Sequence, residues 1–137
     1  MAQTLRKVDY YYVRTPNTAG QCARILAALQ EAGVPLLAYS GFPRGARAQQ
    51  DFIPADSAAF TAVMKKLKLK LSRKKTGFLL QGEDRVGALT DVVSRLADAK
   101  INVTALDAVA AGEGRFGAIF WVRPRDVAKA AKLLGAA

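Results

Sequence analysis

The chain has 137 residues, is 51% hydrophobic and 23% charged, and carries a formal net charge of +10 at pH 7. This composition is ordinary for a globular protein, and no apolar run approaches the ~18 residues that a membrane span requires. A single cysteine excludes an intrachain disulfide, and without histidine a zinc site of the usual Cys/His kind has no ligands. The first residues, MAQTLRK, lead into no apolar segment, so we expect no secretory signal and a cytoplasmic location.

The first half of the chain predicts the element order βαββαβ. Residues 8–14 are rich in aromatic and β-branched side chains, as strands are, and the apolar side chains of residues 20–32 recur at helical spacing. Gly33 is placed to end that helix in the left-handed conformation. Lysine and leucine then alternate strictly over 66–71, which predicts a strand with one buried face. The elements expected are strands at 8–14, 36–42, 48–53 and 66–71 and helices at 20–32 and 57–66.

The second half predicts the same order without its last strand. A strand is expected from Thr76, a helix at 87–99, a strand at 102–110, a third strand at 114–122 and a final helix that RPRD begins. Pro124 suits the first turn of that helix. Nothing after it corresponds to the strand at 66–71. The second sheet is therefore either one strand short or borrows a strand from elsewhere.

The two halves are also similar in sequence. Residues 17–39 align with residues 84–106 at an offset of 67 without a gap, which places Gly20 on Gly87. Further on, an offset of 70 places Pro54 on Pro124, so the turn at 111–114 is expected to hold three extra residues. A repeat of this length indicates one small unit used twice. We predict an α+β fold of two ferredoxin-like βαββαβ units in tandem, residues 1–74 and 75–137, the second lacking its last strand.

The basic charge is concentrated in one segment. Residues 65–75 hold seven basic and no acidic residues, whereas residues 1–64 carry a net charge of +2 and residues 76–137 a net charge of +1. Clustered lysines can contact phosphates, and they also protect exposed strand edges from aggregation. The alternation favours the second interpretation because a half-buried strand requires it. Binding of nucleic acid through residues 65–75 is kept as an alternative function.

The turn at residues 83–89 is the strongest candidate site. A helix start offers free N–H groups and the positive end of a dipole, which suit a carboxylate, and Gly87 allows a ligand to come close. Asp84 could accept hydrogen bonds from an ammonium group. Together these groups match the two ends of an amino-acid zwitterion. The structural alternative is that Asp84 caps the helix and that Gly87 only permits tight packing.

Residues 82–108, GEDRVGALTDVVSRLADAKINVTALDA, resemble the opening of an ACT domain. That family typically shows Asp-Arg-Pro-Gly-x-Leu at the first turn and Leu-x-x-x-Gly-Ile-Asn-Ile at the second strand. Val86 stands in place of the usual proline and Lys100 in place of the usual glycine. The first half matches more loosely, with Thr18 in place of arginine and Pro35 in place of asparagine. The residues that match in the second half are Asp84, Arg85, Gly87, Leu89, Leu96, Ile101 and Asn102.

The resemblance implies a regulatory protein that binds an amino acid or a similar metabolite, has no catalytic activity of its own and needs no cofactor. It also implies a homodimer and a regulated protein partner, without contact with a membrane. In this family the ligand contacts come from the first turn and the start of the first helix, and often from the second strand of a partner. The implied ligand-binding residues are Asp84, Arg85, Val86, Gly87, Ala88, Leu89 and Asn102, with a weaker equivalent at Asn17, Thr18, Ala19 and Gly20.

Two further expectations concern chemistry. An acylphosphatase-type enzyme shares the βαββαβ order, and Arg85 and Asn102 are the residues that it could use, although its phosphate-cradling loop is absent. Cys22 lies on the apolar stripe of the first helix, so a buried, unreactive thiol is expected.

Overall fold

The computed structural model describes residues 3–137, which form an α+β protein with antiparallel strand pairs and four α-helices. All four predicted helices are present. The elements in chain order are β1 Thr4–Pro16, α1 Gln21–Glu31, β2 Leu36–Arg44, β3 Arg47–Pro54, α2 Ser57–Lys66, β4 Lys75–Glu83, α3 Thr90–Asp98, β5 Val103–Gly112, β6 Arg115–Val122, a 3-10 helix Pro124–Asp126 and α4 Val127–Leu134.

The chain divides into two compact units that interleave in sequence. We call Asp9–Lys75 the inserted unit, and residues 3–8 together with Thr76–Ala137 the split unit. The predicted boundary at residue 74 or 75 therefore coincides with the end of the inserted unit. The first residues of the chain, however, belong to the same unit as the last ones. Strand β1 contributes residues 4–8 to the split unit and residues 9–16 to the inserted unit.

The inserted unit has the strand order β2-β3-β1, with β3 antiparallel to both neighbours. Helices α1 and α2 cover one face because their apolar stripes face the strands. Phe60 of α2 stacks on Tyr11 at 5.3 Å between ring centroids and contacts Phe52 at 5.2 Å. Asp56 caps α2 by accepting a hydrogen bond from the N–H of Ala59.

The predicted strand at 66–71 does not form. Its backbone is used to end α2: the N–H of Lys68 donates to the carbonyl of Lys65, and the N–H of Leu69 to that of Met64. The alternation nevertheless has its expected effect on burial, since Leu67, Leu69 and Leu71 pack against the core and the lysines between them are exposed. A single bridge between Val13 and Leu71 is the β-pairing found in this stretch of the described chain.

The split unit has the strand order β5-β6-β4, with residues 4–8 of β1 beside β4. Leu5 packs against the core of this unit, and the N–H of Lys7 donates to the carbonyl of Ala137 at 3.0 Å. The start of the chain thus supplies the strand that the second half lacks in its own sequence. The core contains the buried side chains Phe78, Leu80, Val92, Leu96, Ile101, Phe116, Phe120, Val122 and Leu134.

Each of the four helices is followed by a residue in the left-handed conformation, and these residues are 67 positions apart in the two halves of the chain. Gly33 and Lys100 have φ of 70° and 59°, and Lys68 and Gly135 have φ of 57° and 67°. In each case the next N–H reaches back to the last turn, for example from Val34 to the carbonyl of Leu29. This is the hydrogen-bond pattern of a Schellman motif. The left-handed conformation predicted for Gly33 is confirmed.

Strand register corrects the second offset. In the two units, Leu36 pairs with Pro54 and Val103 pairs with Val122, so Pro54 corresponds to Val122 at an offset of 68. The match of Pro54 with Pro124 was therefore wrong. The β5–β6 hairpin holds one extra residue rather than three, because a bulge between Ala110 and Gly112 absorbs it.

Candidate functional site

The turn between β4 and α3 is a tight loop that begins where the ladder with β6 ends. The N–H of Asp84 donates to the carbonyl of Gly114 at 2.8 Å, and the N–H of Ala88 donates to the carbonyl of Arg85 at 3.1 Å. Gly87 has φ of 77°, a left-handed conformation that side chains with a Cβ rarely adopt. The glycine at this position is therefore a requirement of the loop itself, as is Gly20, with φ of 91°, at the equivalent position of the inserted unit.

The start of α3 carries no side-chain cap. The helix begins at Thr90 with Leu89 at the N-cap position, and no side chain accepts a hydrogen bond there. Within residues 3–137 the N–H groups of Leu89 and Asp91 enter none of the hydrogen bonds formed at this turn. Asp84 does not cap the helix, so the structural alternative for this residue is wrong. The uncapped start leaves donors and a positive dipole end at the surface.

Beside this turn lies an open depression of about 370 Å³, which we call the Asp84 pocket. The turn and the start of α3 form one side, and β5 with the beginning of β6 forms the other. Strand β5 is an edge strand that pairs with β6 alone, so its outer side is uncovered by any other strand of the described chain. The residues that line the pocket are Asp84, Arg85, Gly87, Ala88, Leu89, Thr90, Ala108, Val109, Ala110 and Phe116.

Five of the seven residues predicted for this site line the pocket: Asp84, Arg85, Gly87, Ala88 and Leu89. The other two do not. Val86 projects fully into solvent, with a relative exposure of 102%, and Asn102 is an exposed residue that precedes β5 outside the lining. The walls from β5 and Phe116 were not predicted, because small exposed side chains on an edge strand leave no signal in a hydrophobic pattern.

Charge and apolar surface are separated in the Asp84 pocket. Asp84 and Arg85 are exposed at the turn, and Arg85 is 3.6 Å from the carboxylate of Asp91. Such an exposed ion pair contributes little to stability, so it leaves Arg85 able to change partners. Alanine, valine and phenylalanine side chains form the opposite wall. The pocket can therefore take a small molecule that has charged groups at one end and an apolar group at the other.

The four residues predicted for the weaker site occupy the equivalent turn of the inserted unit. Asn17, Thr18, Ala19 and Gly20 are all exposed, and Gly20 is the N-cap residue of α1. Thr18 accepts a hydrogen bond from the side chain of Gln21 at 3.4 Å.

Cys22, in the first turn of α1, is exposed, so the expectation of a buried thiol was wrong. The buried residues of α1 are Ile25 and Leu29.

Other chemistry finds little support in the described residues. Residues 3–137 contain no group of three or more His, Cys, Asp or Glu side chains that could hold a metal ion. In the same part of the chain no helix has the length and apolarity needed to cross a membrane.

Lys75 lies over the rings of Tyr10 and Tyr12, at 5.8 and 5.6 Å from their centroids, so this cation of the basic segment packs on aromatic faces.

No protein-family model and no curated protein matches the sequence. Solved structures do match. Protein BT0572 from Bacteroides thetaiotaomicron superimposes with a TM-score of 0.82 at 13% identity, over 96% of this chain and 88% of its own. The ligand-free regulatory subunit of aspartate kinase from Thermus thermophilus gives 0.63 at 16% identity, over 98% and 93%. The regulatory subunit from Thermus flavus gives 0.58 at 19% identity, over 98% and 94%.

The chain has an ACT-like fold. Identities this low establish the fold and nothing finer, and the fold is the one that the residues 82–108 predicted by resemblance. In these three superpositions, 96–98% of this chain and 88–94% of the other chain are matched, so the likeness includes both units.

Proposed function

We propose that this chain is a regulatory protein that binds an amino acid in the Asp84 pocket and catalyses no reaction of its own. The observation that carries the proposal is the pocket itself, which brings an uncapped helix start, a carboxylate and an apolar wall together. The structural neighbours that are regulatory subunits of aspartate kinase support it, since their fold serves regulation there.

The chemistry of binding follows from the two sides of the pocket. The free N–H groups at the start of α3 and the guanidinium of Arg85 would receive the ligand carboxylate, because both concentrate positive charge. Asp84 would accept hydrogen bonds from the ammonium group. The wall of Ala108, Val109 and Phe116 would contact the ligand side chain and keep water from it.

Regulation would follow from a shift between states. A ligand changes an equilibrium only if it binds one state better than another. We propose that the amino acid favours one packing of a homodimer, and that a regulated protein partner recognises this packing in the cytoplasm. The exposed edge of β5, which borders the pocket, gives ligand binding a direct route to such a change.

The test is a thermal-shift screen of the full chain against each proteinogenic amino acid. At a ligand concentration of 100 times Kd, binding stabilises the folded state by about 2.7 kcal/mol. We expect a clear rise in Tm with at least one amino acid, loss of that rise in Asp84→Ala, and retention in Asp98→Ala, an exposed carboxylate at the other end of α3. The proposal fails if no amino acid raises the Tm and Asp84→Ala is also neutral.

The acylphosphatase alternative gains no support, because Arg85 lines the pocket and Asn102 does not. The nucleic-acid alternative keeps one observation. Since 66–71 is not a strand, edge protection no longer explains its lysines, and Lys65, Lys66, Lys68, Lys70, Arg73 and Lys74 are exposed.

A further inference from the structure

The register of the strands identifies the residues of the inserted unit that correspond to the Asp84 pocket. Gly41 pairs with Gln50, as Ala108 pairs with Ala118, and Val13 pairs with Gln50, as Leu80 pairs with Ala118. The ungapped offset of 67 then places Tyr39 on Leu106 and Cys22 on Leu89. Gly41 and Cys22 of the inserted unit therefore correspond to the pocket-lining residues Ala108 and Leu89, in addition to the turn at 17–20, which corresponds to the turn at 84–87.

Tyr39 fills the space between Gly41 and Cys22. A Cβ placed on Gly41 would lie 3.5 Å from the Tyr39 hydroxyl oxygen, so the phenol runs along the strand and covers Gly41. The pKa of Tyr39 is raised by burial first and then by hydrogen bonding to Cys22, which places the thiol next to the same hydroxyl. In the split unit the corresponding residue is Leu106, which packs into the core and is absent from the pocket lining.

A chain of polar groups holds the phenol in place. The Tyr39 hydroxyl donates to Oε1 of Gln50 at 2.9 Å, and Nε2 of Gln50 donates to Oγ1 of Thr15 at 3.2 Å. Gln50 has a relative exposure of 0% and Thr15 of 2%. Buried polar groups are costly when they lose a partner, so this chain fixes the orientation of the ring. The split unit has Ala118 and Gly82 at these positions and cannot form such a chain.

We propose that Tyr39 occupies in the inserted unit the space that the Asp84 pocket leaves open in the split unit, so that each chain binds one amino acid and not two. The inference rests on the proposed function for its ligand. It makes Tyr39 the residue that closes the equivalent pocket of the inserted unit. The turn at Asn17–Gly20 then serves the fold, and its glycine is kept because the loop needs it.

The first experiment needs no amino acid. Tyr39→Ala is titrated with p-cresol, which has the shape of the removed side chain, by calorimetry and by thermal denaturation. We expect one p-cresol per chain and recovery of most of the lost Tm, with no binding to the wild type or to Tyr12→Ala, a half-buried tyrosine of β1. Binding of p-cresol to the wild type at this site, or none to a folded Tyr39→Ala, would overturn the inference. If Tyr39→Ala does not fold, a crystal structure of Tyr39→Leu shows whether a pocket opens over Gly41.

The second experiment counts sites with the amino acid that gives the largest shift in the thermal screen. Tyr39→Leu and Gln50→Ala, combined with Asn17→Asp and Thr18→Arg, give the inserted unit the residues of the split unit on both sides of the pocket, and we expect the stoichiometry to rise from one to two. Two sites in the wild type, or one site in this folded quadruple variant, would contradict the proposal. If no amino acid binds the wild type, the proposed function fails, and the p-cresol titration still decides what Tyr39 occupies.

Discussion

Lys100 offers a sharp test of the repeat, because it adopts the left-handed backbone conformation that glycine, Gly33, adopts at the equivalent position of the first half. Lys100 has φ of 59° after α3, and Gly33 has φ of 70° after α1. A residue with a Cβ pays about 1–2 kcal/mol to adopt the left-handed conformation, and glycine avoids this strain. Glycine also loses about 0.5–1 kcal/mol more backbone entropy on folding, which offsets part of the benefit. We therefore expect Lys100→Gly to raise the free energy of unfolding by about 0.5–1 kcal/mol.

The corresponding shift in Tm follows from the size of the chain. With ~2.1 cal/mol/K of unfolding entropy per residue and 137 residues, the total is about 0.29 kcal/mol/K, so Tm should rise by about 2–3 °C. Differential scanning calorimetry measures this directly, and urea unfolding at fixed temperature gives the free energy. Lys100 is exposed, and within residues 3–137 its side chain forms no hydrogen bond or ion pair, so the substitution acts mainly through the backbone.

The matched control is Gly33→Lys, which introduces the opposite change at the repeat-equivalent position. A Cβ on Gly33 would meet nothing within 4 Å, so steric contact adds no further cost. We expect a loss of about 1 kcal/mol. The reasoning is refuted if Lys100→Gly lowers the stability, or if Gly33→Lys leaves it unchanged.

Three further predictions concern the alkaline limb of stability, the pocket wall and the basic segment. Burial, with Asp51 and Tyr12, raises the pKa of Tyr10 from 10.0 to about 12, so stability should be complete below pH 10 and fall as the pH rises towards 12. Tyr10→Phe should flatten that fall in urea titrations, and an unchanged slope would contradict the assignment. Val109 lines the pocket at 66% exposure, so Val109→Glu should abolish the amino-acid shift while changing the free energy of unfolding by about 0.5 kcal/mol or less. A fluorescent RNA oligomer should not bind at about 0.15 M salt; tight binding that weakens steeply with salt would instead favour the nucleic-acid alternative.

Local signals predicted the local structure well. All four helices were predicted, the first from its apolar stripe and the last from Pro124, and Gly33 predicted a helix end, because these features depend on residues close together in the chain. The alternation over 66–71 was misleading for a physical reason. A period of two reports that alternate side chains are buried, and an irregular segment lying on a core satisfies it as well as a strand does.

Non-local features escaped prediction. The strand that completes the split unit lies at the start of the chain, and nothing in the residues 4–8 indicates which unit they join. The turn side of the Asp84 pocket was predicted because its glycine and charges stand together in sequence. Its other wall was not, since Ala108 and Val109 become neighbours of the turn only because β5 pairs with β6 and β6 pairs with β4.

The division of β1 between the two units has a consequence for synthesis. A chain that leaves the ribosome from its N-terminus completes the inserted unit, Asp9–Lys75, while the split unit still lacks most of its residues. Residues 4–8 must then wait for β4 more than sixty residues later, and contacts of such high sequence separation form slowly. The Asp84 pocket belongs to the unit that closes last, so the capacity to bind a ligand there would mark a finished chain.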